Sequence, residues 1–153
     1  MGHPRKQKKK YSRPLKPWDE ARIEKEGKIM KEFGLKRKQE IWKAEAKLTS
    51  IRGLARSLRA QRNEKTEKEF LSKLDKLGLI ESPTLDSVLN VRLENILNRR
   101  LQTIVFRKGL AATAKHARQL IAHGLILVGE RRLKWPSAMI PKSLEDKISL
   151  KVK

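Results

Sequence analysis

Apolar side chains recur every three or four residues along most of this chain, from Trp18 to Ala122, and then every second residue towards its end. The first period is that of one helix face and the second that of a strand. Pro17 and Asp19 are helix-start signals, and Gly34, just after Phe33, is a C-cap. The clearest helix is predicted over about Lys38 to Ala60, where Ile41, Ala44, Leu48, Ile51, Ala55 and Leu58 share one face. Arg52, Arg56 and Arg59 form a second stripe, its centre about 90° from the first. Coiled-coil pairing is one use for that apolar stripe, but the run is short and neighbouring segments offer intramolecular partners. Asn63 to Leu77 is a more evenly charged helix, with Phe70, Leu71, Leu74 and Leu77 facing inward and Gly78 ending it. It has the character of scaffold. Ser82-Pro83-Thr84 is a turn, and the main boundary is placed there.

Beyond it, a short turn of helix around Asp86 to Leu89 precedes a helical run from Val91 to Arg107 carrying apolar Leu93, Leu97, Leu101, Ile104 and Val105. On one continuous helix, Arg92, Arg99, Arg100 and Arg107 would fall within an arc of about 100° beside that apolar face. Gly109 ends the run, and a second helix is expected from about Thr113 to Ala122, closed by Gly124. Leu125 to Val128 then reads as a strand, Gly129-Glu130-Arg131 as a turn and Arg132 to Trp135 as a second strand broken by Pro136-Ser137. Ile148, Leu150 and Val152 alternate as a last strand. The fold class is α+β. A basic flexible arm (1–17) precedes a helical N-terminal region (18–85) and a segment of two short helices on a small antiparallel sheet (86–153).

Charge changes this picture most. Lys and Arg number 38 against 17 Asp and Glu, a net charge of +21 with pI near 10.6. Self-repulsion at that charge works against a compact state, and a bound polyanion relieves it. Arg92 to Lys134 alone carries ten Lys/Arg against two Glu, on short apolar-periodic helices and not in a structureless tail. Such a surface is the electrostatic footprint of an RNA-binding module. With 38% hydrophobic residues only a modest core is expected, beside segments that order on a partner. The absence of cysteine removes disulfides, thiolate ligands and cysteine nucleophiles, and is compatible with a reducing cytosol. Met1 to Lys10 is basic without the apolar core of a secretory signal, and no apolar run approaches membrane-spanning length. The expectation is a soluble, cytoplasmic protein.

The candidate RNA contacts fall into three groups. In the arm they are Arg5, Lys6, Lys8, Lys9, Lys10 and Arg13, with Tyr11 able to stack on a base. In the long helix they are Arg52, Arg56 and Arg59, for which a plain solvated face is the alternative. In the C-terminal segment Arg99, Arg100, Arg107, Lys115, Arg118 and Arg131 are the main phosphate and sugar contacts, because a guanidinium grips phosphate bidentately and stacks on bases. Arg92, Lys108, Arg132 and Lys134 extend the charge, and Gln102, Thr103 and Gln119 could add polar contacts. His116 and His123 fit RNA or backbone hydrogen bonding, or passive surface roles, better than metal ligation, since no cysteine or acid cluster joins them. Trp42 and Trp135 are assigned to packing rather than stacking. Gly109, Gly124 and Gly129 do not form a phosphate-cradling loop. No catalytic constellation, metal site, cofactor or small-molecule substrate is expected.

Arg99-Arg100-Leu101-Gln102-Thr103-Ile104-Val105 with Gly109-Leu110-Ala111, then Ala117-Arg118-Gln119-Leu120-Ile121-Ala122-His123-Gly124 and Trp135-Pro136-Ser137, resemble the S-four RNA-binding domain. They are most similar to the version in the universal S-four family of small-subunit ribosomal proteins. Tyr11-Ser12-Arg13-Pro14, Pro17-Trp18, Phe33-Gly34-Leu35-Lys36 and Glu40-Ile41-Trp42-Lys43 look like the N-terminal region of its archaeal and eukaryotic-type branch, so the resemblance covers nearly the whole chain. It implies a structural constituent of the small subunit. Such a protein is a primary binder of small-subunit rRNA that helps nucleate ribosome assembly and supports translational accuracy. Neighbouring small-subunit ribosomal proteins are implied partners. Asn98 stands where the family usually has Glu, Leu125 replaces a frequent second His after Gly124, and Ala138 occupies a common aromatic position. The cysteine-ligated zinc knuckle of some bacterial members has no ligands here, and the chain ends at Lys153, short of the longer tail of many relatives.

Two other classes compete. An RNA-modifying enzyme could carry this domain as an appendage, but residues 18–85 offer no carboxylate in a defined site. A non-ribosomal RNA-binding factor, for ribosome rescue or generic nucleic-acid binding, is the alternative. The free protein is expected to be a monomer.

Overall fold

A computed structural model describes residues 9–61, 63–80 and 82–151. Arg5, Lys6 and Lys8 of the basic arm, and Val152 of the expected last strand, lie outside the described residues. Helix α1 spans Glu20–Glu32, with the Asp19 side chain accepting from the Arg22 N–H at its start and Phe33 at its end. Gly34 follows at φ +58°. A Cβ there would sit 2.9 Å from the Ala114 Cβ, so the left-handed turn and the close approach both require glycine. Helix α2, Gln39–Gln61, buries Ile41, Ala44, Leu48, Ala55 and Leu58, five of the six positions read from its period. Helix α3, Glu64–Lys76, is capped by Asn63 and turns inward on Leu71 and Leu74.

The short helices α4 (Leu85–Asn90) and α5 (Leu93–Asn98) pack on α2. They complete a first core in which Val88, Val91, Ile96 and Leu97 join Phe33, Leu35, Ile41, Leu71 and Leu74. Residues 86–98, grouped by sequence with the C-terminal segment, thus bury their apolar faces among the N-terminal helices. A second core begins at Leu101. It contains Ile104, Val105, Ala117, Ile121, Ile126, Val128, Ile140 and Ile148.

The expected continuous helix from Val91 to Arg107 is two helices, α5 and α6 (Leu101–Arg107), separated by extended Arg100 at ψ 141°. The break has a hydrogen-bond cause. The first N–H groups of a helix lack intrahelical partners, and here Leu101 donates to the Ala138 carbonyl at 2.8 Å and Gln102 to that of Pro136 at 3.3 Å. The Thr103 hydroxyl donates to the Leu97 carbonyl at 2.8 Å, closing α5. Helix α7, Ala114–Ala122, is capped by Thr113 and packs on α6.

Strands β1 (Ile126–Val128), β2 (Arg131–Arg132) and β3 (Ile148–Leu150) form an antiparallel sheet in the order β2-β1-β3. Val128 pairs with Arg131 and with Ile148. The second strand is shorter than expected and starts one residue earlier. Gly129, at φ +62°, makes the turn with Glu130 alone, and residues 136–140 leave the sheet to bond the start of α6. One further turn, α8 (Lys142–Glu145), lies outside the sequence reading and is too short to carry a period. The fold is α+β, a helical N-terminal region followed by two short helices beside a small sheet.

Candidate nucleic-acid interface

Among the exposed cations of the C-terminal half are Lys115 on α7 and Arg131, Arg132 and Lys134 on and after the β1–β2 hairpin. Thr113 caps α7 by accepting from the His116 N–H, which leaves Lys115, His116, Gln119 and His123 exposed while Ala117 and Ile121 face the core. Gly124 then reverses the chain at φ +72°. A Cβ at that position would lie 3.0 Å from the Arg132 Cδ and 3.5 Å from the Lys134 Cε, so the missing side chain lets the hairpin's cations lie against the end of α7. Arg131, Arg132 and Lys134 are exposed beside it. None of these residues forms an ion pair among the described residues. Unneutralised, close-set charge of this kind releases counterions when a phosphate backbone replaces them.

Trp135, assigned by sequence to packing, is 69% exposed next to Lys134. Pro136 turns the following residues towards α6, so the indole is left outside the second core, where an aromatic face among cations can stack on a base. Trp42 does pack: its Nε1 donates to Glu26 Oε1 at 2.9 Å. The Tyr11 ring lies 6.0 Å from that of Trp42, with Lys43 Nζ 5.9 Å over it. Tyr11, half-buried, thus has aromatic and cationic neighbours within the protein. Lys9, Lys10, Arg13 and Arg56 are exposed, as is Arg92 at the start of α5. Arg107 donates to Asn98 Oδ1 at 2.7 Å, and Lys108 lies 3.8 Å from Asp146.

The RRLQT block, which supplies two of the six main contacts expected from the sequence, Arg99 and Arg100, is largely internal. Gln102 is 1% exposed. Its Nε2 donates to the carbonyls of Phe33, Gly34 and Ala114 at 3.1, 3.0 and 2.9 Å, tying the end of α1 to α7. Thr103 is buried and spent on Leu97. Arg99 donates to Glu145 Oε2 and to the Ile140 carbonyl, both at 2.8 Å, and holds α8 against the break after α5. Arg100 is buried and ion-paired with Glu40 of α2. Arg118 joins the same carboxylate at 3.0 Å with its side chain 29% exposed, so it alone of the pair reaches solvent. In α2, Arg52 donates to the Val91 carbonyl at 2.7 Å and Arg59 pairs with Asp86 at 2.8 Å. Helix period places an arginine beside an apolar face. It carries no information about which carbonyl or carboxylate lies opposite.

Glu40 is the node of this internal network and was not among the candidates. Burial pushes its carboxyl up, but hydrogen bonds from Arg118 and Arg100 and their charges outweigh that and hold it at about 2. A cleft of about 510 Å³ opens beside it, between the start of α2 and residues 136–139. Lys36, Arg37, Lys43 and Lys47 line it, and none was a candidate either. Their sequence signal, with Lys38 five cations within twelve residues of an amphipathic helix start, looks like ordinary solvated charge.

Among the described residues no group of three or more His, Asp or Glu could hold a metal ion, and no helix is long and apolar enough to cross a membrane.

Residues 99–145 match the S4 domain family. Over 97% of its length the chain is 47% identical to the small ribosomal subunit protein uS4 of Thermoplasma acidophilum, covering 78% of that protein. It is similar to the uS4 of Pyrobaculum aerophilum at 46% identity over 98% of this chain and 99% of that one. It is 42% identical to the uS4 of Methanothermobacter thermautotrophicus over 97% and 89% of the two chains.

Proposed function

We propose that this chain, which belongs to the family of small ribosomal subunit protein uS4, is a structural constituent of the small ribosomal subunit and binds its rRNA. The observation that carries the reading is the set of exposed cations on α7 and the β1–β2 hairpin, unpaired among the described residues, within a domain the family match covers. Lys115, His116, Gln119, His123, Arg131, Arg132 and Lys134 are the contacts assigned there, with Trp135 as a stacking face and Arg92, Arg107, Lys108 and Arg118 extending the charge. Arg56 and the exposed bases of the arm, Lys9, Lys10 and Arg13, contact further phosphates. The mechanism is counterion release combined with recognition of a folded RNA shape. Arg99, Arg100, Gln102 and Thr103 serve it indirectly, by fixing α5, α6 and α7 relative to α1 and α2. Roles in assembly nucleation and translational accuracy, contacts to neighbouring small-subunit proteins, a ribosomal location in the cytoplasm and a monomeric free state belong to the same proposal. It assigns the chain no catalysis and no cofactor. Residues 99–151 are taken as the unit that carries the RNA surface, since the second core begins at Leu101.

The test is binding to a small-subunit rRNA transcript against excess unrelated structured RNA, measured as a function of salt. Neutralising Arg131, Arg132 and Lys134 together should reduce the salt slope by about three, close to one per phosphate contact, with thermal stability unchanged. Binding abolished by the competitor in the unaltered protein would leave a generic polycation and defeat the proposal.

A further inference from the structure

Glu26 is the one carboxylate that α1 buries. It is 4% exposed, whereas Glu20, Glu24 and Glu32 face solvent. A buried carboxylate is costly unless it is paired and hydrogen-bonded, and Glu26 is both. Its Oε1 accepts from Trp42 Nε1 at 2.9 Å and pairs with Arg22 Nη1 at 3.4 Å, while Oε2 pairs with Lys38 Nζ at 3.4 Å. Stitching α1 to α2 needs only Trp42 and Lys38. Arg22 has a further use, since its Nη2 donates to the carbonyls of Lys16 and Pro17 at 2.6 and 2.8 Å, ahead of α1. Trp42 also serves a second neighbour: its ring lies 6.0 Å from that of Tyr11, with Lys43 Nζ 5.9 Å over the phenol. Residues 11–17 are therefore anchored at both ends, and both anchors lead to Glu26. Apolar burial does not hold the segment there, because Leu15 is fully exposed and Trp18 is 91% exposed. Pro14 and Pro17 assist the anchors, since a fixed φ leaves less freedom to lose on docking.

We infer that Arg22 and Trp42, both fixed by Glu26, clamp residues 11–17 onto α1 and α2 in the free protein and so position the basic arm. The arm expected to be flexible over 1–17 is on this account anchored from Tyr11 onward. Five Lys and Arg and no acid precede Tyr11 in the chain. With the clamp closed, the free chain between those charges and the folded body ends at Tyr11 and not at Asp19. Less order is then lost when they meet a phosphate backbone. Glu26, Arg22 and Trp42 are positioning residues here: Glu26 is buried and acts only through the other two. The purpose of the clamp rests on the RNA-binding reading, whereas its existence in the free protein does not.

Two measurements test it. In the unaltered full chain without RNA, nuclear spin relaxation should give Tyr11, Ser12, Arg13, Leu15 and Lys16 amide order parameters near the rigid value of about 0.85, and values below about 0.6 would overturn the clamp. The second uses Tyr11→Ala/Arg22→Lys, which opens both anchors at constant net charge, since an ammonium lacks the fork that reaches Glu26 and two carbonyls together. Order parameters over 11–16 should drop below about 0.6 in this variant. Its binding to a small-subunit rRNA transcript should weaken about three- to tenfold with an unchanged salt slope, because no cation is lost. Tyr11→Phe, which keeps the ring, should bind like the parent. Binding of the double variant within about twofold of the parent would overturn the positioning role. So would a loss produced wholly by Tyr11→Ala with none from Arg22→Lys, since Tyr11 would then be a direct RNA contact. A double variant that misfolds leaves the order parameters of the unaltered chain to decide. A mobile segment in a chain that binds rRNA specifically defeats this inference alone. An ordered segment in a chain whose binding the competitor abolishes defeats the RNA-binding reading, and the positioning role with it.

Discussion

Replacing Gln102 with leucine separates two accounts of the RRLQT block. If the side chain contacts RNA, the change weakens binding and leaves the fold intact. The structure demands the opposite. The Gln102 amide, 1% exposed, donates to three backbone carbonyls. The Ala114 carbonyl lies in the first turn of α7 and keeps its place in the helical ladder. Those of Phe33 and Gly34 follow the end of α1 and would lose their amide donor without gaining water. A buried acceptor left unsatisfied costs about 1–3 kcal/mol. Two of them at mid-range, about 1.5–2.5 kcal/mol each, less about 1 kcal/mol returned by the apolar replacement, give a net loss of roughly 2–4 kcal/mol. In a chain of 153 residues that is a fall in melting temperature of about 5–15 °C. The assay is thermal unfolding of Gln102→Leu by circular dichroism, beside rRNA binding at 25 °C where both proteins are folded. Binding should stay within about threefold of the parent, as no polar atom of Gln102 reaches the surface. A melting temperature within about 2 °C of the parent, with binding reduced tenfold, would refute the reasoning.

Three more expectations follow from the same geometry. Glu40 is held at about 2 against an ordinary value of 4.5, so its stabilisation is present at neutral pH and is lost as pH falls from about 4.5 to about 2. The stability gap between the parent and Glu40→Gln, roughly 2–3 kcal/mol at pH 7, should close across that window in urea titrations. A gap unchanged from pH 5 to pH 2 would show that the carboxylate is not charge-paired. Gly34→Ala should destabilise by more than about 1 kcal/mol, through its positive φ and the 2.9 Å approach to Ala114. Gly53→Ala, in mid-α2 with open space around it, should stabilise by about 0.5–1 kcal/mol, and equal melting temperatures for the two variants would contradict both. Trp135→Ala should leave the melting temperature nearly unchanged while weakening rRNA binding by about 1–3 kcal/mol. A large stability loss would place the indole in a core after all.

The sequence alone determined the elements whose causes are local. Asp19, Asn63 and Thr113 cap helices because their oxygens bond N–H groups two or three residues on, and Gly34, Gly78 and Gly124 end them because only glycine takes positive φ without cost. The buried face of α2 follows from the same kind of fact, its apolar spacing of three and four. Net charge needed no structure either, and exposed Lys115, Arg131, Arg132 and Lys134 lie where a basic surface was expected. Tertiary structure decided which cations are free. Arg99, Arg100, Arg107 and Arg118 look alike in the chain. Yet Glu40 lies 60 residues from Arg100 and 78 from Arg118, and Glu145 lies 46 from Arg99. The break after α5 was hidden for the same reason, since the carbonyls that accept from Leu101 and Gln102 belong to residues 138 and 136. A guanidinium's fate depends on the acceptor that folding brings to it, and period and propensity describe only the dozen residues around it.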